Sequence, residues 1–177
     1  MREGEVLAVI GQNGSGKSVF LKTLLGMIPA THGTITWKKD VRIGYLPQRF
    51  QVDAYLPMTV QEFLSLKPDA RPICETLKLL HMEHEWLHKH LAHLSGGELQ
   101  QVLLLWVLQD NPHIILFDEP TENVDVVGSE SIYKTLHHLQ DTTGLAIIII
   151  SHDLHLVYRY ANTVLCLNKN MVCYGEP

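Results

Sequence analysis

Residues 11–18, GQNGSGKS, satisfy the pattern G-x-x-x-x-G-K-[ST], and the chemistry that this pattern serves is the binding of a polyphosphate. Gly11, Asn13, Gly14, Ser15 and Gly16 make a loop whose backbone N–H groups can converge on phosphate oxygens, and a helix opening at its end adds positive potential. Lys17 then reaches the outer phosphates, while the Ser18 hydroxyl is a ligand for Mg²⁺. A second segment, His113–Glu119 (HIILFDE), is an apolar run closed by two acids. Asp118 is suited to hold Mg²⁺, and Glu119 to polarise an attacking water as general base. Together these residues predict a nucleoside triphosphate site that uses Mg²⁺.

Both motifs need a rigid frame. Val6–Ile10 is a β-branched apolar run ending at a glycine, which predicts a buried strand, and an apolar helical pattern follows from Val19 to Leu25 until Gly26 stops it. Thr34–Trp37 and Val41–Tyr45 read as two strands joined by a tight Lys38-Lys39-Asp40 connection. From Phe50 to about Asn111 the pattern is helical, with Thr59 as a cap, Pro72 in a first turn and a third helix over Ser95–Gln109. Strand character returns at His113–Phe117, Leu145–Ile150, Thr163–Leu167 and Met171–Tyr174, with helices at about 126–140 and 153–160. Alternating strands and helices predict an α/β fold, a P-loop core with a mostly parallel sheet flanked by helices. The expected organisation is one nucleotide-binding domain, with residues 1–49 and 111–177 as its α/β core and residues 50–110 as an inserted helical subdomain.

The chain has 177 residues, 46% of them hydrophobic, and 14 basic against 19 acidic side chains, which excludes a disordered chain. Its apolar runs, such as Leu145–Ile150, are far shorter than the roughly 18 residues that cross a bilayer. The acidic balance argues against a general nucleic-acid binder. Cys74, Cys166 and Cys173 form no C-x-x-C, so the expectation is reduced cysteines in a cytosolic protein, with Cys166 and Cys173 as packing residues on a hairpin.

LSGGE at 94–98, taken with the phosphate loop and the DEP at 118–120, resembles the signature of ATP-binding cassette (ABC) ATPases. The motif order matches along nearly the whole chain. By this resemblance Gln48 is the glutamine that senses Mg²⁺ and the nucleotide, Asp125 is the D-loop aspartate, and His152 is the switch histidine at the γ-phosphate. Ser95, Gly96 and Gly97 would complete the ATP pocket of a second copy of the chain. Ser95 and Glu98 also have the spacing of a helix-capping box, which is compatible with that role.

The segments 42–68, 94–105 and 151–177 resemble, more narrowly, the ATP-binding subunits of bacterial zinc importers, with manganese and iron-chelate importers as close relatives. The resemblance implies a peripheral ATPase on the cytoplasmic face of the inner membrane. Its partners would be permease subunits and, indirectly, a periplasmic metal-binding protein. The stretch from Gln48 to Leu66, with Tyr55, Leu56 and Met58, would grip the permease. Two other readings stay open: a soluble ABC ATPase acting in nucleic-acid repair or translation, and a non-hydrolysing fragment.

Some positions depart from the family pattern. Val19 stands where the family has a threonine that touches the α-phosphate, and Gln100-Gln101 and Leu105-Trp106 replace basic positions of the signature helix. Met1 comes after the family's first strands and its adenine-stacking aromatic residue, and the chain stops where the family continues. The expectation is a chain truncated at both ends or given a misassigned start. Among the 11 histidines, His81, His84, His88, His90 and His93 cluster, and their spacing predicts three on one helical face. With Glu83, Glu85 and Lys89 between them, that face reads as solvated surface rather than a metal-sensing cluster.

Overall fold

The computed structural model describes every residue except Arg49, Ala54 and residues 121–125, and the side chains of all others except Val126, Val127 and Ser129. Three strands carry the core: β1 (Val6–Ile10), β3 (Ile114–Asp118) and β4 (Ala146–Ile150), buried over nearly their whole lengths. With β2 (Ile43–Leu46), β5 (Thr163–Asn168) and β6 (Asn170–Gly175), they form a sheet in the order β2-β3-β4-β1-β5-β6 among the described residues. Every pairing is parallel except β5 with β6.

Successive side chains of a strand point to opposite faces, and the core divides accordingly. Val6, Ala8, Ile115, Phe117, Ile147 and Ile149 join one apolar cluster, and Leu7, Val9, Ile114, Leu116, Ile148 and Ile150 the other. A sheet covered on both faces needs continuous apolar strands, which is why these segments do not alternate with polar residues.

Helix α1 (Lys17–Leu24) covers the second face with Leu21. It ends in a left-handed Gly26 at φ 72°, where the Gly26 N–H donates to Thr23 O and the Met27 N–H to Lys22 O. The first face is covered by α2 (Val60–Leu64), α3 (Ile73–Leu79), α4 (Gly96–Leu108), α5 (Val126–Thr143) and α6 (Leu154–Tyr160). Thr59 closes a capping box with Glu62 at the start of α2, as its position in the sequence suggests.

Three expectations are corrected. Thr34–Trp37 forms no strand; β2 is a sheet edge that pairs with β3, and Trp37 instead donates its indole N–H to Leu24 O at the end of α1. His81, His84 and His88 do not share a helical face. His81 ends α3 in the left-handed region, Glu83 is extended, and His84–His88 is a separate 3₁₀ turn. Cys166 and Cys173 stand directly opposite in the β5–β6 ladder and are disulfide-bonded, with Cα atoms 4.9 Å apart, so they are a cross-link rather than two packing residues. Cys74 is free and exposed. No helix among the described residues is long and apolar enough to cross a membrane.

Candidate functional site

In a parallel sheet the carboxyl ends of all strands share one edge, and here that edge gathers the chemistry. The phosphate loop leaves β1, Gln48 follows β2, Asp118 and Glu119 end β3, and His152 follows β4.

The loop is built for close approach. A Cβ on Gly11 would collide with the Leu167 carbonyl oxygen of β5 and stand 2.7 Å from Ser15 Oγ, so only glycine fits there. The Lys169 N–H, in the β5–β6 turn, donates to Ser15 O at 2.9 Å and braces the loop from the other side. Gly16 enters α1 in the left-handed region and offers no side-chain cap to the helix N-terminus. Those first N–H groups and the helix dipole make an anion site.

Lys17 is 5% exposed, and its Nζ donates to Gly11 O at 2.9 Å and Gln12 O at 3.2 Å. Among the described residues, the Ser15 hydroxyl is buried without a hydrogen-bond partner. An orphaned buried hydroxyl beside a buried ammonium fits a ligand that brings acceptor oxygens, as a polyphosphate does. Asn13 and Gly14 lie exposed at the rim of the loop, and Val19 is 54% exposed on α1.

Ser18 Oγ donates to Asp118 Oδ1 across 3.1 Å. Neighbouring ligands of an octahedral Mg²⁺ at about 2.0–2.1 Å lie about 2.9 Å apart, so this pair fits that ion. Burial pushes the Asp118 carboxyl above the usual aspartate range, and the nearby Glu119 charge adds to this. The Ser18 hydrogen bond and the charges of Lys22 and Lys17 oppose it.

Glu119 is the meeting point of the site. Its Oε1 lies 2.6 Å from His152 Nε2 and 3.6 Å from Lys17 Nζ, while its Oε2 accepts from Gln48 Nε2 at 3.0 Å. The residue is 9% exposed and held at φ 51°, a left-handed conformation that costs a non-glycine residue on the order of 1–3 kcal/mol.

Tyr133 on α5 and the N-cap of α6 fix the segment around His152. Tyr133 donates its hydroxyl to Ser151 Oγ at 2.7 Å, and the Asp153 N–H donates to the same oxygen at 3.1 Å. Burial pushes the Tyr133 hydroxyl up to about 12. Asp153 caps α6 by accepting from the N–H groups of His155 and Leu156. No local spacing in the sequence marks Tyr133, Ser151 or Lys169.

The signature residues sit at the start of α4. Ser95 and Gly96 are exposed and Gly97 half-buried, and Ser95 and Glu98 close a capping box on each other at 2.8 and 3.3 Å. Lys89, 2.6 Å away, is the main cause that holds the Glu98 carboxyl below the usual range, with the Ser95 N–H second. Asp125 lies outside the described residues.

The sheet order, the phosphate loop and the acids at the end of β3 define a P-loop nucleotide-binding fold with ABC motifs. The ABC transporter family is matched over residues 1–122, and the chain belongs to it. It is 43% identical to the zinc import ATP-binding protein ZnuC 1 of Hahella chejuensis, over all of this chain and 69% of that protein. It is 42% identical to the zinc import ATP-binding protein ZnuC of Yersinia enterocolitica, over all of this chain and 71% of that one. Among solved structures, a chain of a metal-chelate type ABC transporter in an inward-facing conformation superposes with a TM-score of 0.88 at 27% identity, covering 99% of this chain and 73% of that one. A dimeric bacterial ABC transporter cassette gives 0.79 at 25%, covering 99% and 87%.

Proposed function

We propose that this chain binds ATP with Mg²⁺ and hydrolyses it to power the import of a transition metal ion, zinc, through a membrane permease. The observation that carries the hydrolytic half is the Glu119 carboxylate, which Lys17, Gln48 and His152 approach from three separate elements. Zinc as the cargo is supported by the relatives, whose names specify zinc import and which match the whole chain at about 42% identity.

The roles follow from position. The N–H groups from Gly11 to Ser18 and the Lys17 ammonium hold the phosphates. Ser18 and Asp118, with Gln48 nearby, would hold Mg²⁺, which when bound neutralises developing charge on the phosphate oxygens. Glu119 accepts a proton from the attacking water. His152 and Gln48 each hold one carboxylate oxygen and so aim the base. Residues 1–49 and 111–177 act as the nucleotide-binding core and residues 50–110 as the helical subdomain. In a dimer, Ser95, Gly96 and Gly97, with Asp125, would close the partner's ATP site. The chain would then work as a peripheral subunit on the cytoplasmic face of the inner membrane, supplied through the permease by a periplasmic metal-binding protein.

The test is complementation. Cells lacking a zinc-importer ATPase, grown under zinc limitation, should recover growth and ⁶⁵Zn uptake with the wild-type chain and its permease but not with Glu119→Gln. Rescue of manganese but not zinc uptake would overturn the cargo, and full rescue by Glu119→Gln would overturn the base.

A further inference from the structure

Helices α1 and α3 end in the same backbone motif with different residues at its critical position. In α1 that position is Gly26 at φ 72°. In α3 it is His81 at φ 52°, where the His81 N–H donates to Lys78 O at 3.2 Å and the Met82 N–H to Leu77 O at 3.0 Å. Glycine adopts the left-handed region freely, whereas a side chain there is strained. α3 therefore carries an imidazole at a place where none would be more stable.

That imidazole meets a second one. His81 Nε2 lies 3.2 Å from Nε2 of His138, on α5, and the two rings are tilted by 47°. The histidines are 57 residues apart and belong to different segments, one to the helical stretch 50–110 and the other to the core helix α5. The charged side chains adjoining His138 along α5 are already engaged, Lys134 with Glu130 and His137 with Asp141. The two Nε2 atoms are aimed at each other.

Two neutral imidazoles can share one proton in a hydrogen bond, or they can turn both lone pairs onto one cation. Zn–N bonds are about 2.0–2.1 Å, and two nitrogens 3.2 Å apart then subtend about 100–105° at the ion, close to the tetrahedral angle. The geometry points to a two-imidazole site for a divalent transition metal of the zinc class, held between His81 and His138. Water completes the coordination: no group of three or more histidine, cysteine, aspartate or glutamate side chains able to hold a metal occurs among the described residues. A site with only two protein ligands exchanges its ion, and the ion fastens α3 to α5 while it is bound. The site shares no residue with the phosphate pocket and does not rest on the function proposed above.

The test uses the full chain without nucleotide, in excess Mg²⁺, titrated with Co²⁺ and with Zn²⁺. The variants are His81→Gly, which gives the turn its preferred residue, and His138→Gln. Wild type should bind one more equivalent of Co²⁺ than either variant by calorimetry and by the visible absorption of the bound ion. Its melting temperature should rise on addition of Zn²⁺, and the Zn²⁺ concentration needed for half that rise should increase at least tenfold in both variants. His81→Gly without metal should melt no lower than wild type, which separates loss of a ligand from loss of the fold. Equal isotherms for wild type and His81→Gly, or loss in only one of the two variants, would overturn the site and leave the pair as a histidine–histidine hydrogen bond.

Discussion

His152 Nε2 stands 2.6 Å from Glu119 Oε1 and so joins the segment after β4 to the residue that follows the end of β3. Gln48 holds the other oxygen of the same carboxylate. With both oxygens engaged, rotation of the carboxyl group is restricted, and its direction is set by three neighbouring strand ends rather than by its own side-chain torsions.

Replacing Glu119 with Gln keeps the shape and most hydrogen bonds but removes the base. ATP binding should persist while hydrolysis falls by about 10²-fold or more, the scale of a positioned proton acceptor. ATP-bound dimers should then accumulate. Single-turnover hydrolysis alongside nucleotide binding measures both, and near-normal turnover would place the base elsewhere.

Ser95 caps α4 with its side chain while remaining exposed. Ser95→Arg should therefore leave monomeric nucleotide binding intact and abolish turnover. Mixing it with Lys17→Ala protein should recover activity from at most one composite site per mixed dimer. Normal hydrolysis by Ser95→Arg at high dilution would rule out a two-chain pocket.

Burial raises the Asp118 carboxyl above its unfolded value, so the folded chain holds this proton more tightly than the unfolded chain does. This group's contribution to stability therefore falls as pH rises from the ordinary aspartate range through the raised folded value. Asp118→Asn should melt higher than wild type at neutral pH, with the gap closing as pH is lowered below the ordinary range, and it should lose Mg²⁺-dependent hydrolysis. Melting curves from pH 2.5 to 8 without Mg²⁺ test this. A lower melting temperature for Asp118→Asn at pH 7 would contradict it.

Tyr55 is 92% exposed and Leu56 lies beside it, an apolar pair on the surface that follows Gln48. Exposed apolar side chains of this kind suit a protein contact. Tyr55→Glu or Leu56→Glu should cut zinc-dependent growth several-fold and leave basal ATP hydrolysis unchanged. Parallel loss of both would indicate a folding defect instead.

Much of this protein was legible from local pattern. The phosphate loop, the caps at Thr59 and Ser95 and the Gly26 stop depend on backbone angles and hydrogen bonds that span only a few residues, so their spacing is visible in the chain itself. Apolar runs such as Ala146–Ile150 declared buried strands for the same reason. Tertiary structure decided what those segments meet. Thr34–Trp37 has strand composition but no partner strand, because a strand is stabilised by pairing rather than by propensity alone. The opposition of Cys166 and Cys173 depends on the register of β5 against β6. The gathering of Gln48, Glu119 and His152 depends on the parallel order β2-β3-β4, and the meeting of His81 with His138 on where the turn after α3 lies relative to α5. Each is a contact between distant parts of the chain, and no short-range pattern encodes it.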